Sequence, residues 1–191
     1  GARILNLQCV GFRNLESSKG FVSTPDDLDG LKVRVTSSDV YIDTWGANAL
    51  TMAGNEVLTA LQQGTIDACD NVNNVCYADG YQQYADYISI MEYATHFNGI
   101  TMNEAKFQSL TTDLQNVILE AARKAATDCT KNLETLNQEQ LEEMVADGAQ
   151  MSEDVDKEAF KEASQSVYDD FLNSNEKGAE YYNAIQELIA E

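Results

Sequence analysis

The sequence is poor in proline, histidine and basic residues. Its 191 residues include one proline and one histidine. Lysine and arginine together number 12 against 32 aspartates and glutamates, which gives a formal net charge of −20. Without a basic stripe to neutralise phosphates, the chain is not expected to bind nucleic acid. The same acidity argues against anionic membrane surfaces as partners.

Long apolar runs are also absent. No stretch of about 18 apolar residues occurs, so the sequence predicts no transmembrane helix. The sequence opens at Gly1-Ala2-Arg3 without a signal-peptide pattern, as a mature or truncated start would also do. Apolar residues make up 43% of the chain, which is enough to form a core for one sizeable domain or two small ones.

The chain lacks the motifs of metal, cofactor and nucleophile sites. It has no CxxC pair, and with a single histidine the four cysteines (Cys9, Cys69, Cys76 and Cys129) predict no zinc site. Glycine-rich nucleotide motifs are missing as well. Cys69 and Cys76 are close enough in sequence for a disulfide in an oxidising compartment, but the cysteine spacing does not resemble a disulfide scaffold and favours free buried thiols. No catalytic residues, metal or cofactor are predicted, and His96 is interpreted as structural.

Strands alternate with helices up to about residue 102, which indicates an α/β fold. The predicted strands cover residues 3–10, 31–35, 65–69, 87–93 and 97–102, with a loop at 15–23. The predicted helices run from Ser37 or Ser38 to about Trp45, from Asn55 to a stop at Gly64, and from 72 to 84.

Helices dominate the remainder. Asn103 is predicted to cap a short helix through Leu110, and Thr112 a very long one from residue 113 to about 146, ended by Gly148. At about 1.5 Å per residue the long helix spans roughly 50 Å, so it should brace two bodies or pack on a partner. Further helices are predicted at 157–172 and 179–190.

The alternating run Leu31–Val35 carries an arginine among apolar residues. Side chains alternate along a strand, so Lys32 and Arg34 share one face while the apolar residues take the other. Arg13 and the pair Asp70–Asn71 also fall at predicted strand ends. Two guanidiniums and an amide suit an organic anion.

At these positions the chain resembles the solute-binding proteins of tripartite ATP-independent periplasmic (TRAP) transporters, of the dicarboxylate-binding, DctP-like type. Order and spacing agree over nearly the whole chain. The stretches that carry the resemblance are Gly11–Asn14, Thr24–Val35, Gly46–Asn48, Met52–Ala53, Glu56–Asp67, Asn71 and Glu120–Ala126.

The resemblance implies a periplasmic-binding-protein-like (type II-like) fold of two α/β lobes that close on a ligand. This chain would supply the second lobe with a mixed sheet (1–102), a short helix and the long spanning helix (103–148), and C-terminal helices that pack back on the lobes (149–191). The first lobe would be largely missing.

The same resemblance implies a binding role without chemistry on the ligand. The arginine at Arg34 would grip a carboxylate, Arg13 would assist, and Asn71 would orient the carboxylate or the arginine. Asp70, Trp45 and Gly54 complete the predicted ligand-binding set. The implied partners are a small organic acid and the subunits of a TRAP membrane permease. The expected protein is a monomer outside the cytoplasm, secreted or lipid-anchored and made as a signal-peptide-containing precursor.

The sequence departs from the family pattern at several points. The opening portion of the first lobe is absent, and the segments after Trp45 and after His96 are shorter than usual. Gly54 stands where an aromatic ring commonly lines the pocket, which suggests a roomier pocket or a different substrate. An alternative function is an acidic helical interaction module that docks through the helix at 113–146.

Overall fold

The computed structural model describes residues 1–36 and 40–190. Within them, helices cover a seven-stranded mixed sheet, as the α/β prediction requires. The strands are β1 (Ala2–Ser17), β2 (Lys32–Val35), β3 (Asn48–Thr51), β4 (Ala68–Val72), β5 (Tyr87–Ser89), β6 (Thr95–Asn103) and β7 (Gln150–Ser152). The helices are α1 (Val40–Thr44), α2 (Gly54–Gln62), α3 (Asn73–Asp79), α4 (Glu104–Gln108), α5 (Thr112–Ala146), α6 (Lys157–Ala163), α7 (Gln165–Ser174) and α8 (Glu176–Ala190).

The sheet is organised around β1. Its order is β3-β2-β4-β1-β5-β7, and β6 pairs with the N-terminal part of β1. β2 runs parallel to β3 and β4, whereas β1 is antiparallel to β4, β5 and β6. The C-terminal end of β4 therefore lies beside β1 where Arg13 is opposite Val72, and β2 lies on the other side of β4.

The predicted end of β1 is wrong. The strand does not stop at residue 10 but continues through the predicted loop to Ser17, with a register shift between Cys9 and Gly11. Gly11 adopts φ 143°, a conformation that favours glycine. Leu15, Glu16 and Ser17 are buried between β4 and β5, so pairing with two neighbours overrides a polar local sequence.

The predicted strand at residues 65–69 is also displaced. β4 covers Ala68–Val72, and all five of its residues are buried. Asp70 and Asn71 therefore lie inside a central strand rather than after its end. The two polar residues made this segment look unlike a strand. The ion pair of Asp70 and the backbone hydrogen bonds of β4 involve Arg13 and other residues of β1, which are far away in sequence.

The sheet separates two buried clusters. One contains Val57, Leu61, Cys69, Ile88 and Met144, and includes residues of α2, α3 and α5. The other contains Leu15, Val33, Val35, Trp45 and Phe160. Val33 and Val35 are buried as the alternation in Leu31–Val35 predicts.

The long helix is confirmed as α5, with 35 residues. Its N-cap is Thr111, whose hydroxyl accepts a hydrogen bond from the amide of Leu114, and not Thr112 as predicted. Gly148 follows its end with φ 109°. The helix packs along β1 and α3 and buries Ala122, Ala126, Leu141 and Met144. Large apolar side chains on its surface are Leu114, Val117, Leu136 and Val145.

Two other predicted helices are shorter than expected. The helix predicted for 72–84 is α3, which ends at Gly80 in the left-handed conformation, followed by a 3₁₀ turn at Tyr81–Gln83. The helix predicted for 157–172 is divided into α6 and α7 at Ser164. The predicted cap at Ser37 or Ser38 lies outside the described residues. No helix in the described part is long and apolar enough to span a bilayer.

Candidate ligand-binding site

Arg34 is held rigidly at the end of β2. The residue is 3% exposed. Its Nε and Nη2 donate to the carbonyl oxygen of Met52 at 3.1 and 2.9 Å, and Nη1 donates to the hydroxyl of Thr36 at 3.4 Å. A guanidinium has five N–H donors. The remaining donors of Arg34 have no hydrogen-bond acceptor among the described residues.

Arg13 approaches the same hydroxyl from β1. Its Nε donates to Asp70 Oδ2 at 2.5 Å, its Nη2 to the Asp70 carbonyl at 3.0 Å, and its Nη1 contacts His96 Nδ1 at 3.1 Å. Nη2 also lies 3.5 Å from the hydroxyl of Thr36. The two guanidiniums therefore converge on Thr36, just beyond the end of β2.

Asp70 orients Arg13 from inside the sheet. Its side chain is fully buried and accepts a further hydrogen bond from the hydroxyl of Tyr93. Burial by itself would lower the pKa of Arg13, but the Asp70 carboxylate reverses this and holds it above its usual range. Arg13 is thus a permanent cation in a polar cluster that is mostly shielded from water.

Asn71 lies on the same face of the sheet as Arg34. Arg34 is in register with Cys69 on the parallel neighbour β4, and residues two apart on a strand share a face. Asp70 points to the opposite face, which it shares with Arg13. The Asn71 Oδ1 accepts from the amide of Val72 at 3.0 Å, which leaves its NH₂ group as a donor. The candidate site thus includes residues from both faces of the sheet, near the C-terminal ends of β2 and β4.

Gly54 leaves open space beside this edge. It begins α2, two residues after the Met52 carbonyl that holds Arg34. A Cβ atom built on Gly54 would meet no heavy atom within 4 Å. The space is compatible with either interpretation of this position, a roomier pocket or a different ligand.

Trp45 belongs to a separate environment. Its Nε1 donates to the Ser164 hydroxyl at 2.9 Å, and its ring packs on Phe160 and Tyr93. It lines an aromatic cavity of about 220 Å³ with Tyr41, Tyr93, Phe160 and Tyr168. Tyr93 connects the two environments, because its ring packs on Trp45 and its hydroxyl donates to Asp70, the partner of Arg13.

Sequence reasoning missed several members of the site. Thr36 directly follows the predicted strand that carries Arg34, and this position could have indicated that its hydroxyl lies near the arginines. Tyr93 and the carbonyl of Met52 gave no local signal, because their roles depend on long-range pairing. The described residues contain no group of three or more histidine, cysteine or acidic side chains placed to hold a metal ion.

Comparisons with known proteins identify the family. Residues 1–175 match the model of bacterial extracellular solute-binding protein family 7, DctP. The chain is 29% identical to the 2,3-diketo-L-gulonate-binding periplasmic protein YiaO of Escherichia coli, over 98% of this chain and 58% of that protein. A solute-binding protein of Chromohalobacter salexigens is 33% identical over 86% of this chain and 50% of its own length.

Solved structures agree with this match. A TRAP periplasmic solute-binding protein from Chromohalobacter salexigens with bound D-glucuronate superimposes with a TM-score of 0.92 at 30% identity, covering 97% of this chain and 63% of that one. A Sulfitobacter protein of the same kind with bound β-D-galacturonate gives 0.88 at 26% identity, covering 94% and 61%. The chain thus spans between half and two thirds of these relatives. It belongs to bacterial extracellular solute-binding protein family 7, a family of binding proteins and not of enzymes, as the resemblance predicted.

Proposed function

We propose that the complete protein is the extracytoplasmic solute-binding component of a TRAP-type secondary transporter. It captures an organic acid and delivers it to the membrane permease. The observation that carries this proposal is the convergence of Arg34 and Arg13 on Thr36, with guanidinium donors left for a carboxylate. Arginine presents paired N–H groups that match the two oxygens of a carboxylate.

The ligand that this site fits best is an acid sugar. Its carboxylate pairs with Arg34, and its hydroxyl groups find a donor in Asn71 and open space beside Gly54. The relatives with bound D-glucuronate and β-D-galacturonate support this class. The site holds the carboxylate by fixed charges and performs no reaction on it.

The remainder of the cleft comes from a first lobe outside this chain. We propose that this lobe covers the ribbon formed by β1 and β6, which exposes Ile4, Leu7 and Phe97. Side chains of this size and exposure on one two-stranded ribbon are typical of a surface that another layer covers. In this arrangement the second lobe is residues 1–102, the short helix and the long spanning helix are residues 103–148, and the C-terminal helices that pack back on the lobes are residues 149–191. The complete protein is a monomer. The protein operates in the periplasm or at the outer face of the membrane.

A thermal-shift screen of the complete protein tests this function. The panel contains uronates, aldonates, four-carbon dicarboxylates and neutral hexoses. Ligand at 100 times its dissociation constant stabilises the folded state by about 2.7 kcal/mol, which raises the melting temperature measurably. We expect stabilisation by at least one acid sugar and none by neutral hexoses. A response to neutral sugars alone, or to no organic acid, would contradict the proposal.

A further inference from the structure

His96 makes a side-chain contact with Arg13. Its Nδ1 lies 3.1 Å from Nη1 of Arg13. A guanidinium only donates hydrogen bonds, so Nδ1 has to be the acceptor. An accepting Nδ1 requires the tautomer that carries its proton on Nε2. A protonated ring would direct an N–H group at a cation instead.

The neighbours of Arg13 show why this contact matters. Asp70 fixes Nε and Nη2 from β4, while His96 on β6 is the partner of Nη1. Nη1, the nitrogen that contacts His96, is the one that Asp70 does not hold, whereas Nη2 also lies 3.5 Å from the hydroxyl of Thr36. The charged and titratable groups around His96 include Arg13 of β1, Asp70 of β4 and Tyr93, which precedes β6.

We propose that His96 is a positioning residue for Arg13, and that its protonation weakens ligand binding. The inference rests on the proposed function, because it concerns how the same site grips an anion. At low pH the imidazolium repels the guanidinium and displaces its Nη1 end from the position it holds beside the ligand, while Asp70 still holds Nε and Nη2. The site then releases the carboxylate more readily in acid.

The sign of the pH effect separates this inference from simple electrostatics. An added positive charge near an anion site strengthens binding by attraction alone. Loss of positioning weakens it. A uronate carboxylate stays ionised in the range where histidine titrates, so the ligand itself contributes little to the change.

The test is calorimetric titration of the complete protein with D-glucuronate and D-galacturonate, from about pH 8 to about pH 5. We expect affinity to fall roughly tenfold or more on acidification, the effect of losing one hydrogen bond to a charged group. His96→Asn keeps an acceptor near the Nδ1 position and does not titrate. At every pH, its affinity for the uronate should therefore stay close to the affinity that the wild type shows at high pH. His96→Leu should bind weakly at every pH. Constant or rising wild-type affinity in acid, or full affinity of His96→Leu, would overturn the inference.

A second measurement needs no ligand and therefore separates this inference from the proposed function. Long-range ¹H–¹⁵N NMR spectra of the ligand-free complete protein report which imidazole nitrogen carries the proton. We expect an unprotonated Nδ1 on the neutral ring, and a change in the Arg13 side-chain resonances when the ring is protonated. A proton on Nδ1 of the neutral ring, or Arg13 resonances that ignore the titration of His96, would overturn the inference even if acid sugars bind.

Discussion

Arg13 and Asp70 form a buried ion pair between β1 and β4, with 2.5 Å between Nε and Oδ2. The Asp70 side chain is fully buried, and its Oδ1 has no hydrogen-bond partner among the described residues. The pair therefore has two roles. It directs Arg13 toward Thr36, and it neutralises a carboxylate that water does not reach.

The first prediction concerns this dual role. Arg13→Ala leaves the Asp70 charge buried without its partner, which typically costs about 3–5 kcal/mol of folding free energy. We expect urea denaturation of the complete protein to show a loss of this size. Arg13→Ala combined with Asp70→Asn should recover most of it, because the buried charge is gone. Equal stability of the single variant and the wild type would show that the pair is not important for folding.

Arg34 should behave differently when it is removed. Among the described residues, it pairs with a backbone carbonyl and a hydroxyl and not with a buried acid. We expect Arg34→Ala to fold normally but to lose about 2–5 kcal/mol of binding free energy for an acid sugar. This corresponds to a loss of roughly 30-fold to several-thousand-fold in affinity. Arg123→Ala removes an exposed positive charge from α5 and is the matched control. Similar affinities for the two variants would refute the role of Arg34.

Glu16 makes folding stability depend on pH. It lies in β1 with 1% exposure, and burial raises its pKa from 4.5 to about 8. Between these values the unfolded chain is ionised at this residue while the folded chain keeps the proton. Stability therefore falls as pH rises, by up to about 1.4 kcal/mol per pH unit from this group, and levels off above the folded pKa.

Glu16→Gln removes the titrating group while it keeps a similar shape. We expect this variant to be more stable than the wild type near neutral pH and to lose that part of the slope, as measured by urea denaturation at several pH values. Glu158→Gln serves as the control, because the Glu158 side chain is 80% exposed. A wild-type slope that persists unchanged in Glu16→Gln would contradict the assignment.

Ser164 should matter for stability and not directly for the ligand. Its hydroxyl accepts from the indole of Trp45 and donates to the carbonyl of Phe160 at the division between α6 and α7. Ser164→Ala leaves the buried indole N–H unpaired, at a cost of about 1–3 kcal/mol. Trp45 is the single tryptophan, so its fluorescence reports the change directly. Ser174→Ala, which removes a similar bond on an exposed helix end, should have little effect. A large loss of acid-sugar affinity in a stably folded Ser164→Ala would instead place Trp45 in the ligand site.

The sequence predicts the periodic parts of this fold well. The long helix and the strand at Arg34 follow from regular apolar spacing, and the structure reproduces both. The failures are β4 and the second half of β1, where buried polar residues look like a loop. Asp70 is tolerated in a central strand because Arg13, 57 residues away, neutralises it. Local sequence does not contain that information.

The candidate site shows the same division. Arg34, Arg13 and Asn71 were identified from residue type and family resemblance, and the structure brings them to one edge of the sheet. The convergence of Arg34 and Arg13 on Thr36 depends on the pairing of β1 with β4 and of β2 with β4, which has no local signature. The aromatic environment of Trp45 likewise depends on α6 and α7, more than a hundred residues further along the chain.

The most direct test of the central claim compares two sugars that differ in one group. D-glucuronate and D-glucose share a pyranose ring, but only the first carries a carboxylate. Calorimetric titration of the complete protein with this pair isolates the contribution of the anion. We expect saturable binding of D-glucuronate and no detectable binding of D-glucose. If the protein prefers the galacto isomer, we expect the same result for D-galacturonate against D-galactose. Equal affinity for the acid and the neutral sugar would contradict it.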